Sequence, residues 1–321
     1  MRRSLDWVID RYLSVPPPTK LRSSLRAGAY QILYMRVPSH AAVSATVSAS
    51  SKKNKSIVNA ILRRISEEAR INWPNEGTRL SYPEWIIELL IRDLGKKNAF
   101  EMLEKMNEAP SVSVRDDGYR QDLASQWITD IIGVSKQDLL LDMCSAPGGK
   151  ATALATQARK VVACDINESR HKLMHENKTN LSLGNLTQVV SDGRSAPFSS
   201  HVFDHILVDA PCSGLGVLHR RADSRWRIEE GDVKNLAKLQ IDLLDSSVRL
   251  LKDGGVLSYS VCTVTNQETV DVVKSLENLH PNLIPEKLFH ERWRKIGNGL
   301  QILPQDFGTD GMSMFQWKLA N

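Results

Sequence analysis

The sequence predicts a doubly wound α/β domain that follows a smaller, all-helical domain. From about residue 137 onward, short apolar runs alternate with amphipathic stretches. This is the pattern of a parallel sheet covered by helices on both faces. Between Leu21 and Ile65 the apolar residues recur instead at helical spacing. A chain of 321 residues, 41% of them hydrophobic, can bury one large core and a second, smaller one.

The helical domain is predicted over residues 1–70, with turn material at "VPS" and "KKN" between its helices. A connector follows over 71–117, where we expect two short helices, with Pro83 early in one and Pro110 at the end of the other. The α/β domain is then expected to occupy residues 118–321.

Five strands and four helices are expected in the α/β domain. The strands are the apolar runs "DLLLDMC", "KVVACDI", "LTQVVSD", "FDHILVDA" and "GGVLSYSVC". The helices are predicted at 150–158, 168–180, 229–251 and 266–279. Ligands of doubly wound sheets bind at the carboxyl ends of the strands, so the residues at those ends are the candidate site residues.

The net charge of +5 conceals a basic first quarter. Residues 1–72 contain 13 Lys or Arg against 4 Asp or Glu, a net +9, so the remaining residues sum to −4. A basic surface of this kind predicts a polyanionic partner, above all a nucleic acid. The alternative is a solvated helical face.

The spacing of the cysteines and the length of the apolar runs indicate the cellular compartment of the protein. The four cysteines lie 20, 48 and 50 positions apart, which gives neither a C-x-x-C metal clip nor a dense disulfide framework. No window approaches the roughly 18 apolar residues of a membrane span, and "MRRSLDWVIDRYL" lacks the apolar core of a secretory signal. We therefore expect a cytoplasmic protein with free thiols, no metal ion and no membrane partner.

Acids at three successive strand ends indicate a nucleoside-bearing cofactor. The segment 141–150, "LDMCSAPGGK", combines a strand, a glycine turn and a helix start. It matches neither the dinucleotide nor the P-loop glycine pattern. Asp165, Asp192 and Asp209 end the next three predicted strands, where a carboxylate can accept the hydroxyls of a ribose. The alternative, a purely structural turn with unpartnered buried acids, is energetically costly.

Two thiols at neighbouring strand ends, Cys212 and Cys262, restrict the chemistry further. Addition of a thiolate to carbon 6 of cytosine makes carbon 5 able to attack an electrophilic methyl group. One cysteine can add, and the other can assist release. Asp209 could hydrogen-bond ring nitrogen 3 and the exocyclic amine. A single cysteine is more often a small buried hydrophobic residue, and we assign the thiols of Cys144 and Cys164 to that role.

Five motifs resemble, in order and spacing, those of the Nol-Nop-Sun family of S-adenosylmethionine-dependent RNA cytosine-C5 methyltransferases. They are "DMCSAPGGK", "ACDINESR", "SDGR", "VDAPCSGLGVLHRRADSRWR" and "YSVCTVTNQE". The resemblance implies a Rossmann-like methyltransferase sheet, S-adenosylmethionine as cofactor, and methyl transfer to carbon 5 of a cytosine in RNA through a covalent cysteine adduct.

The resemblance also implies roles for individual residues. Asp165 takes the ribose hydroxyls, Asp192 lies by the adenine, and Asp209 lies by the methyl group and the target base. Cys262 is the attacking thiol and Cys212 aids release. The further cofactor-binding residues that it implies are Cys144, Ser145, Ala146, Pro147, Gly148, Gly149, Lys150 and Arg170. In DNA cytosine methyltransferases the nucleophile follows a proline, as Cys212 does here, so exchanged roles for the two cysteines are the alternative.

The rest of the chain resembles the ribosomal branch of the same family, whose substrate is 16S ribosomal RNA. "LRAGAYQILYMRVPSHAAVSATV" and "VNAILRRI" resemble its NusB-like RNA-binding domain. "LPQDFGTDGMSMFQWKL" resembles its last hairpin, with Met312 and Ser313 in place of two aromatic residues. The resemblance implies ribosomal RNA as partner, and we expect a monomer.

Two departures from the family pattern carry expectations of their own. The family's NusB-like domain begins with a few more helices, so this chain is expected to begin inside that domain. Between Arg115 and Gln121 the family has a small RNA-contacting α/β subdomain, and most of it is missing here. We expect cofactor binding to survive this loss and the affinity for RNA, or the choice of RNA, to change.

The segment 217–230, "VLHRRADSRWRIEE", adds a further argument for RNA. Its four arginines, His219 and Trp226 offer cations and a stacking surface beside the strand end that carries Cys212. The alternative is a solvated loop. Because a base must be unstacked to reach both thiols, a loop or bulge of folded RNA is the expected substrate.

Two competing functions are weighed against methyl transfer. The basic first quarter and the missing subdomain also fit an RNA-binding or ribosome-assembly factor with a vestigial cofactor site, although a disused site has little reason to keep Asp209, Cys212 and Cys262. A nicotinamide dehydrogenase fits the fold class but lacks the glycine fingerprint.

Overall fold

Residues 1–35, 37–68 and 70–320 are described by a computed structural model, in which the chain divides after residue 88 into two units. This division falls inside the connector predicted over 71–117. The three-part division of the sequence stays a prediction. Among the described helices, none combines the length and the apolar composition needed to cross a membrane.

The N-terminal unit is helical, as predicted. Its first helix was not predicted, although Leu5, Val8 and Ile9 recur at helical spacing and are buried. Helices α2 and α4 approach closely at Gly28, where a Cβ would lie 2.3 Å from Leu62. The helices are α1 (Arg2–Asp10), α2 (Thr19–Leu33), α3 (Ser39–Ala49), α4 (Lys55–Glu67) and α5 (Glu76–Leu80).

The connector contains three helices where the sequence predicted two. They are α5, α6 (Glu84–Leu94) and α7 (Lys96–Lys105). The five-residue α5 was missed because it is too short to show a period, and it is held at its start by the Asn75 side chain, which accepts a hydrogen bond from the N–H of Thr78 at 2.7 Å. Gly95, with φ of 76°, separates α6 from α7.

The second unit contains the predicted alternation of strands and helices. The helices are α8 (Leu123–Ile131), α9 (Gly149–Ala155), α10 (Glu168–Asn180), α11 (Glu230–Val248), α12 (Val270–Leu279) and α13 (Pro304–Phe307). The strands are β1 (Leu139–Asp142), β2 (Lys160–Asp165), β3 (Leu186–Val190), β4 (Phe203–Asp209), β5 (Leu251–Val261), β6 (Leu283–Pro285), β7 (Arg294–Ile296), β8 (Gly299–Ile302) and β9 (Met312–Leu319).

The strands form one sheet in the order β3-β2-β1-β4-β5-β9-β8-β7, with β6 paired to β9. Strands β1 to β5 are parallel, as predicted, and β6 to β9 extend the sheet with antiparallel pairs. Strand order reverses between β1 and β4, which opens a crevice at their carboxyl ends. Beneath it lies a core that includes the fully buried Tyr259, Phe315 and Trp317.

Candidate active site

Two of the three predicted acids stand at the last residue of a strand, and one does not. Asp165 ends β2, Asp209 ends β4, and Asp142, which was not predicted, ends β1 between them. Asp192 lies two residues beyond β3 and pairs with Arg194 at 2.6 Å, which lowers the pKa of Asp192. The acids that lie directly at the crevice are therefore those that end β1, β2 and β4, namely Asp142, Asp165 and Asp209.

The glycine turn and Asp165 hold each other in place. The N–H of Ala146 donates to one Asp165 carboxylate oxygen at 3.0 Å, and the N–H of Asn167 donates to the other at 2.8 Å. Ser145 donates through both its N–H and its hydroxyl to the carbonyl of Cys164. These bonds fix the turn against the end of β2 and leave the remaining lone pairs of Asp165 able to accept ligand hydroxyls.

The turn ends in a glycine that no other residue can replace without strain. Gly148 has φ of 101°, and a Cβ there would lie 2.8 Å from Met174. Gly149 begins α9 and presents the free N–H groups of a helix N-terminus. Pro147 accepts a hydrogen bond from the Asn177 side chain at 3.0 Å through its carbonyl. Arg170 is exposed in the first turn of α10.

Asp142 is the acid whose surroundings call for a ligand. It is 1% exposed, and neither of its carboxylate oxygens makes a hydrogen bond of good geometry within the described residues. Burial, together with the charges of Asp209 and Asp165, raises the pKa of Asp142 well above its usual range. A cationic or hydrogen-bonding ligand group beside Asp142 would offset the free-energy cost of burying its carboxylate. Its place at the end of "LLLD" was the available sequence signal.

Lys150 reaches across the crevice to Asp209. Its Nζ lies 2.7 Å from one carboxylate oxygen of Asp209, and the hydroxyl of Ser260 donates to the other at 2.6 Å. Burial alone lowers the pKa of Lys150, but the Asp209 carboxylate more than offsets this and the net shift is upward. The Lys150 ammonium and the Ser260 hydroxyl therefore hold the acid in one orientation. Ser260 was not predicted.

The two predicted thiols meet. Cys212 follows β4, Cys262 follows β5, and their sulfurs are 3.1 Å apart. The hydrogen bond to Cys262, burial, and the charges of Cys262 and Glu268 raise the pKa of Cys212 well above its usual range. Gly216 ties the two loops together because its N–H donates to the carbonyl of Cys262 at 3.1 Å. The geometry thus presents one sulfur pair beside Asp209.

The other two cysteines lie in less reactive surroundings. Cys164 is buried in β2, and burial, with the nearby Asp165 charge, raises its pKa to about 12. Burial likewise raises the pKa of Cys144 well above its usual range, helped by Asp142. Both thiols are therefore protonated at neutral pH.

The expected cluster of four RNA-facing arginines in 217–230 is only half right. Arg220 pairs with Asp310 and Asp122 at 2.6 and 2.7 Å, and Arg225 is buried. Arg220 and Arg225 hold the loop against the rest of the unit. Arg221 and Arg227 are exposed, and Arg227 pairs with the neighbouring Asp223 at 2.9 Å. Sequence spacing could not separate them because the acids that pair with Arg220 lie far away in the chain.

A short turn lies between Arg115 and Gln121, where most of a subdomain is expected to be missing. Val114 and Arg120 form an isolated bridge, and the guanidinium of Arg115 donates to the carbonyl of Gly149 at 2.7 Å while lying 4.7 Å from the ring centroid of Tyr119. This segment therefore contacts the start of α9, next to the glycine turn.

In the N-terminal unit, the basic residues divide into paired and solvated groups. Arg22 and Arg26 pair with Asp6, and Arg11 pairs with Glu68. A solvated group consists of Lys52, Lys53, Lys55 and Arg63, all of which are exposed. Within the described residues, no group of three or more His, Cys, Asp or Glu side chains is placed to hold a metal ion.

Comparison with known proteins follows the same division of the chain. A family model described as "16S rRNA methyltransferase RsmB/F" matches residues 130–319, and one described as "NusB family" matches residues 1–67. "Ribosomal RNA small subunit methyltransferase B" of Pasteurella multocida is 28% identical over 373 residues, which covers 96% of this chain and 82% of that protein.

Two solved structures from Pyrococcus horikoshii resemble the chain. A methyltransferase homolog protein superposes with a TM-score of 0.65 at 20% identity, covering 76% of this chain and 97% of the other. NSun6 with SFG superposes with a TM-score of 0.58 at 26% identity, covering 63% of this chain and 53% of the other.

The fold and the strand-end site define an S-adenosylmethionine-dependent RNA methyltransferase. The chain belongs to the 16S rRNA methyltransferase RsmB/F family, with a NusB-family segment before the methyltransferase domain. The predicted fold class, the predicted family and the predicted enzyme class are therefore confirmed. The individual site residues stay predictions.

Replacement of Gly148 by valine is expected to weaken S-adenosylmethionine binding by about tenfold or more, since a left-handed φ in a side-chain residue costs roughly 1–3 kcal/mol. Isothermal titration calorimetry measures the change. Gly184→Ala is the control, because a Cβ at Gly184 meets nothing within 4 Å. Equal affinities of the two variants for S-adenosylmethionine would mean that the turn is not part of the binding site.

Proposed function

We propose that this enzyme methylates carbon 5 of a cytosine in 16S ribosomal RNA through a covalent adduct with Cys262. The observation that carries the proposal is the 3.1 Å separation of the Cys212 and Cys262 sulfurs, next to an Asp209 that is fixed by Lys150 and Ser260. The names of the curated relatives support ribosomal RNA of the small subunit as the substrate.

The residues at the crevice fit S-adenosylmethionine. Asp142, buried and without a well-placed donor among the described residues, would hold the ammonium group of its methionine part. Asp165 would accept the ribose hydroxyls, and Gly148 lets the backbone approach the ligand. When bound, the cofactor supplies an electrophilic methyl group. Asp192 and Arg170 belong to the same proposal, near the adenine and the ribose edge.

Cys262 begins the reaction. Its thiolate adds to carbon 6 of the cytosine, so that a carbon–sulfur bond forms and the electron pair of the ring double bond moves to carbon 5. The positive charge of the Lys150 ammonium acts electrostatically on Cys262. Carbon 5 is then nucleophilic enough to take up the methyl group.

Asp209 stabilises the base during addition. Lys150 and Ser260 hold its carboxylate in one orientation. From there it can accept hydrogen bonds from the exocyclic amine and from ring nitrogen 3, once that nitrogen has taken the proton that the Cys262 thiol gives up on addition. The negative charge that addition places on the ring is thereby neutralised by a proton that Asp209 holds in position. Ring nitrogen 3 releases this proton to solvent when the ring double bond is restored.

Cys212 completes the reaction. Because its pKa is raised, it is a thiol when the adduct forms and lies within hydrogen-bond distance of the Cys262 sulfur. Its proton passes to that sulfur as the carbon–sulfur bond breaks, and the resulting Cys212 thiolate takes the proton from carbon 5. Both cysteines end as thiols, and 5-methylcytosine leaves.

Two surfaces support RNA binding in this proposal. The exposed Lys52, Lys53, Lys55 and Arg63 offer phosphate contacts, as do Arg221 and Arg227 on the second unit. A base flipped out of a loop or bulge would reach the sulfurs, whereas a base in a duplex would not. The enzyme is proposed to act as a cytoplasmic monomer.

Bisulfite sequencing of ribosomal and transfer RNA, from cells with and without the gene, tests the substrate. We expect one methylcytosine of 16S ribosomal RNA to be lost in the deletion strain and restored by the wild-type gene. A complete, unchanged set of 16S methylcytosines would contradict the proposal. Loss of a methylcytosine in transfer RNA alone would assign another substrate.

A further inference from the structure

We propose that Glu268 is a positioning residue, which joins the Cys212 loop to the Cys262 loop and holds Cys212 as a proton donor. The inference rests on the proposed function, because it concerns the same two thiols. Glu268 ends a single 3-10 turn, Asn266–Glu268, that follows β5. It is fully buried, and it touches neither the glycine turn nor the strand-end acids through its hydrogen bonds.

The carboxylate of Glu268 binds the residue that follows each thiol. Ser213, next to Cys212, donates its N–H to Oε1 at 2.7 Å and its hydroxyl to Oε2. Thr263, next to Cys262, donates its hydroxyl to Oε2 at 3.0 Å. One side chain therefore sets the distance between two loops that are about 50 residues apart in the sequence.

Further donors fix the carboxylate itself. Thr265 donates its hydroxyl to Oε2 at 3.1 Å, and Gln240 of α11 donates to Oε1 at 3.1 Å. The same Gln240 amide nitrogen also donates to the carbonyl of Pro211, the residue before Cys212, at 2.9 Å. The hydroxyl of Tyr259 lies 3.0 Å from the Gln240 side-chain oxygen and 2.7 Å from the carbonyl of Glu268.

All these groups that donate hydrogen bonds to Glu268 are neutral. The negative charge of the Glu268 carboxylate is therefore not paired with a cation in these bonds. Burial of a carboxylate is costly, and several hydrogen bonds are needed to retain it. Neutral polar groups could join two loops at lower cost, because a buried charge contributes little net stability. The negative charge therefore has a role beyond joining the two loops, and the thiol on which it acts is that of Cys212.

The charge acts on Cys212 in a definite direction. After the hydrogen bond to Cys262 and burial, the charges of Cys262 and then Glu268 raise the pKa of Cys212. The other titratable groups around the pair are Tyr259 of β5, itself held neutral by burial, and Asp209 with its partner Lys150. Removal of the Glu268 charge would lower the pKa of Cys212 and produce thiolate at lower pH.

The charge is tested with Glu268→Gln in a Cys262→Ser background. Alkylation of Cys212 by iodoacetamide is followed against pH by mass spectrometry, with and without the Gln substitution. We expect the pH of half-maximal labelling to fall when the charge is removed. Glu277→Gln is the control, because Glu277 also accepts side-chain hydrogen bonds, partly buried ones from Asn298 and Trp317, but is not hydrogen-bonded to either thiol loop. Identical labelling curves with and without Glu268→Gln would overturn the proposed electrostatic effect of Glu268 on Cys212.

The positioning is tested with Glu268→Ala in the otherwise unmodified chain. Diamide oxidises two close thiols to a disulfide while it is reduced to the hydrazine, so the rate of Cys212–Cys262 bond formation reports their proximity. We expect this rate to fall about tenfold or more in Glu268→Ala and to stay unchanged in Glu277→Gln. An unchanged rate in Glu268→Ala would overturn the positioning part.

Activity and cofactor binding separate this inference from the proposed function. In Glu268→Gln, kcat is expected to fall on the order of 10²-fold, as for a small misplacement of reacting groups, while the KM for RNA and the calorimetric affinity for S-adenosylmethionine stay within about twofold. An unchanged kcat would contradict the inference. A wild-type protein without methyl transfer to RNA would contradict the proposed function, and the labelling and oxidation rates would still report on Glu268.

Discussion

RNA that contains 5-azacytidine is expected to form a covalent complex with this enzyme, and the complex is expected to depend on Cys262. Cys262→Ala removes the only atom proposed to bond to carbon 6. Methyl transfer should therefore fall by at least about 10⁴-fold, as when a covalent nucleophile is removed from other enzymes. The complex is measured as a denaturation-resistant band on a gel, and turnover is measured by transfer of a labelled methyl group.

The companion variant, Cys212→Ala, is expected to accumulate the complex even with ordinary cytosine. Without Cys212, addition and methyl transfer proceed, but no thiol is in place to protonate the departing sulfur. Cys164→Ser is the control, since that thiol is buried in β2 and donates to the carbonyl of Ser191. A complex that persists in Cys262→Ala and is absent in Cys212→Ala would exchange the roles of the two cysteines.

Asp209→Asn is expected to lower kcat by about 10²- to 10³-fold, the usual loss when one preorganised polar group of an active site is removed. The substitution keeps the shape of the side chain but leaves the buried Lys150 ammonium without its ionic partner. Burial then dominates and lowers the pKa of Lys150. Calorimetric affinity for S-adenosylmethionine is expected to change only a few-fold.

The same strand offers a matched control for that experiment. Asp204, at the other end of β4, pairs with Lys252 at 2.6 Å, and both side chains are partly exposed. Asp204→Asn removes an aspartate–lysine pair from the strand end that does not carry the site, and is expected to leave kcat unchanged. Equal losses of activity in the two variants would mean that Asp209 acts through stability of the sheet.

Much of the candidate site could be predicted because parallel strands fix where their ends meet. Asp165, Asp209, Cys212 and Cys262 each follow an apolar run, and the sheet brings those runs side by side. The strand order could not be deduced from single strands, but the rule that ligands bind at carboxyl ends does not need it.

What the sequence analysis missed depends on contacts between distant segments. Glu268 and Ser260 are polar residues whose partners, Ser213 and Asp209, lie about 50 positions away. Nothing in the local pattern distinguishes them from solvated side chains. The short strands β6 and β7, of three residues each, show no alternation that could be recognised.

The reversal of strand order between β1 and β4 has a consequence for how the protein acquires its shape. Strand β1 pairs with β4, which lies more than 60 residues further along the chain, with two α-helices and two strands in between. Such distant pairing costs a large amount of chain entropy before the contacts between the two strands can offset that loss. Topologies of this kind therefore fold slowly. No fragment that ends before residue 262 contains both sulfurs, so a ribosome-bound nascent chain acquires the pair of thiols only after β5 has been synthesised.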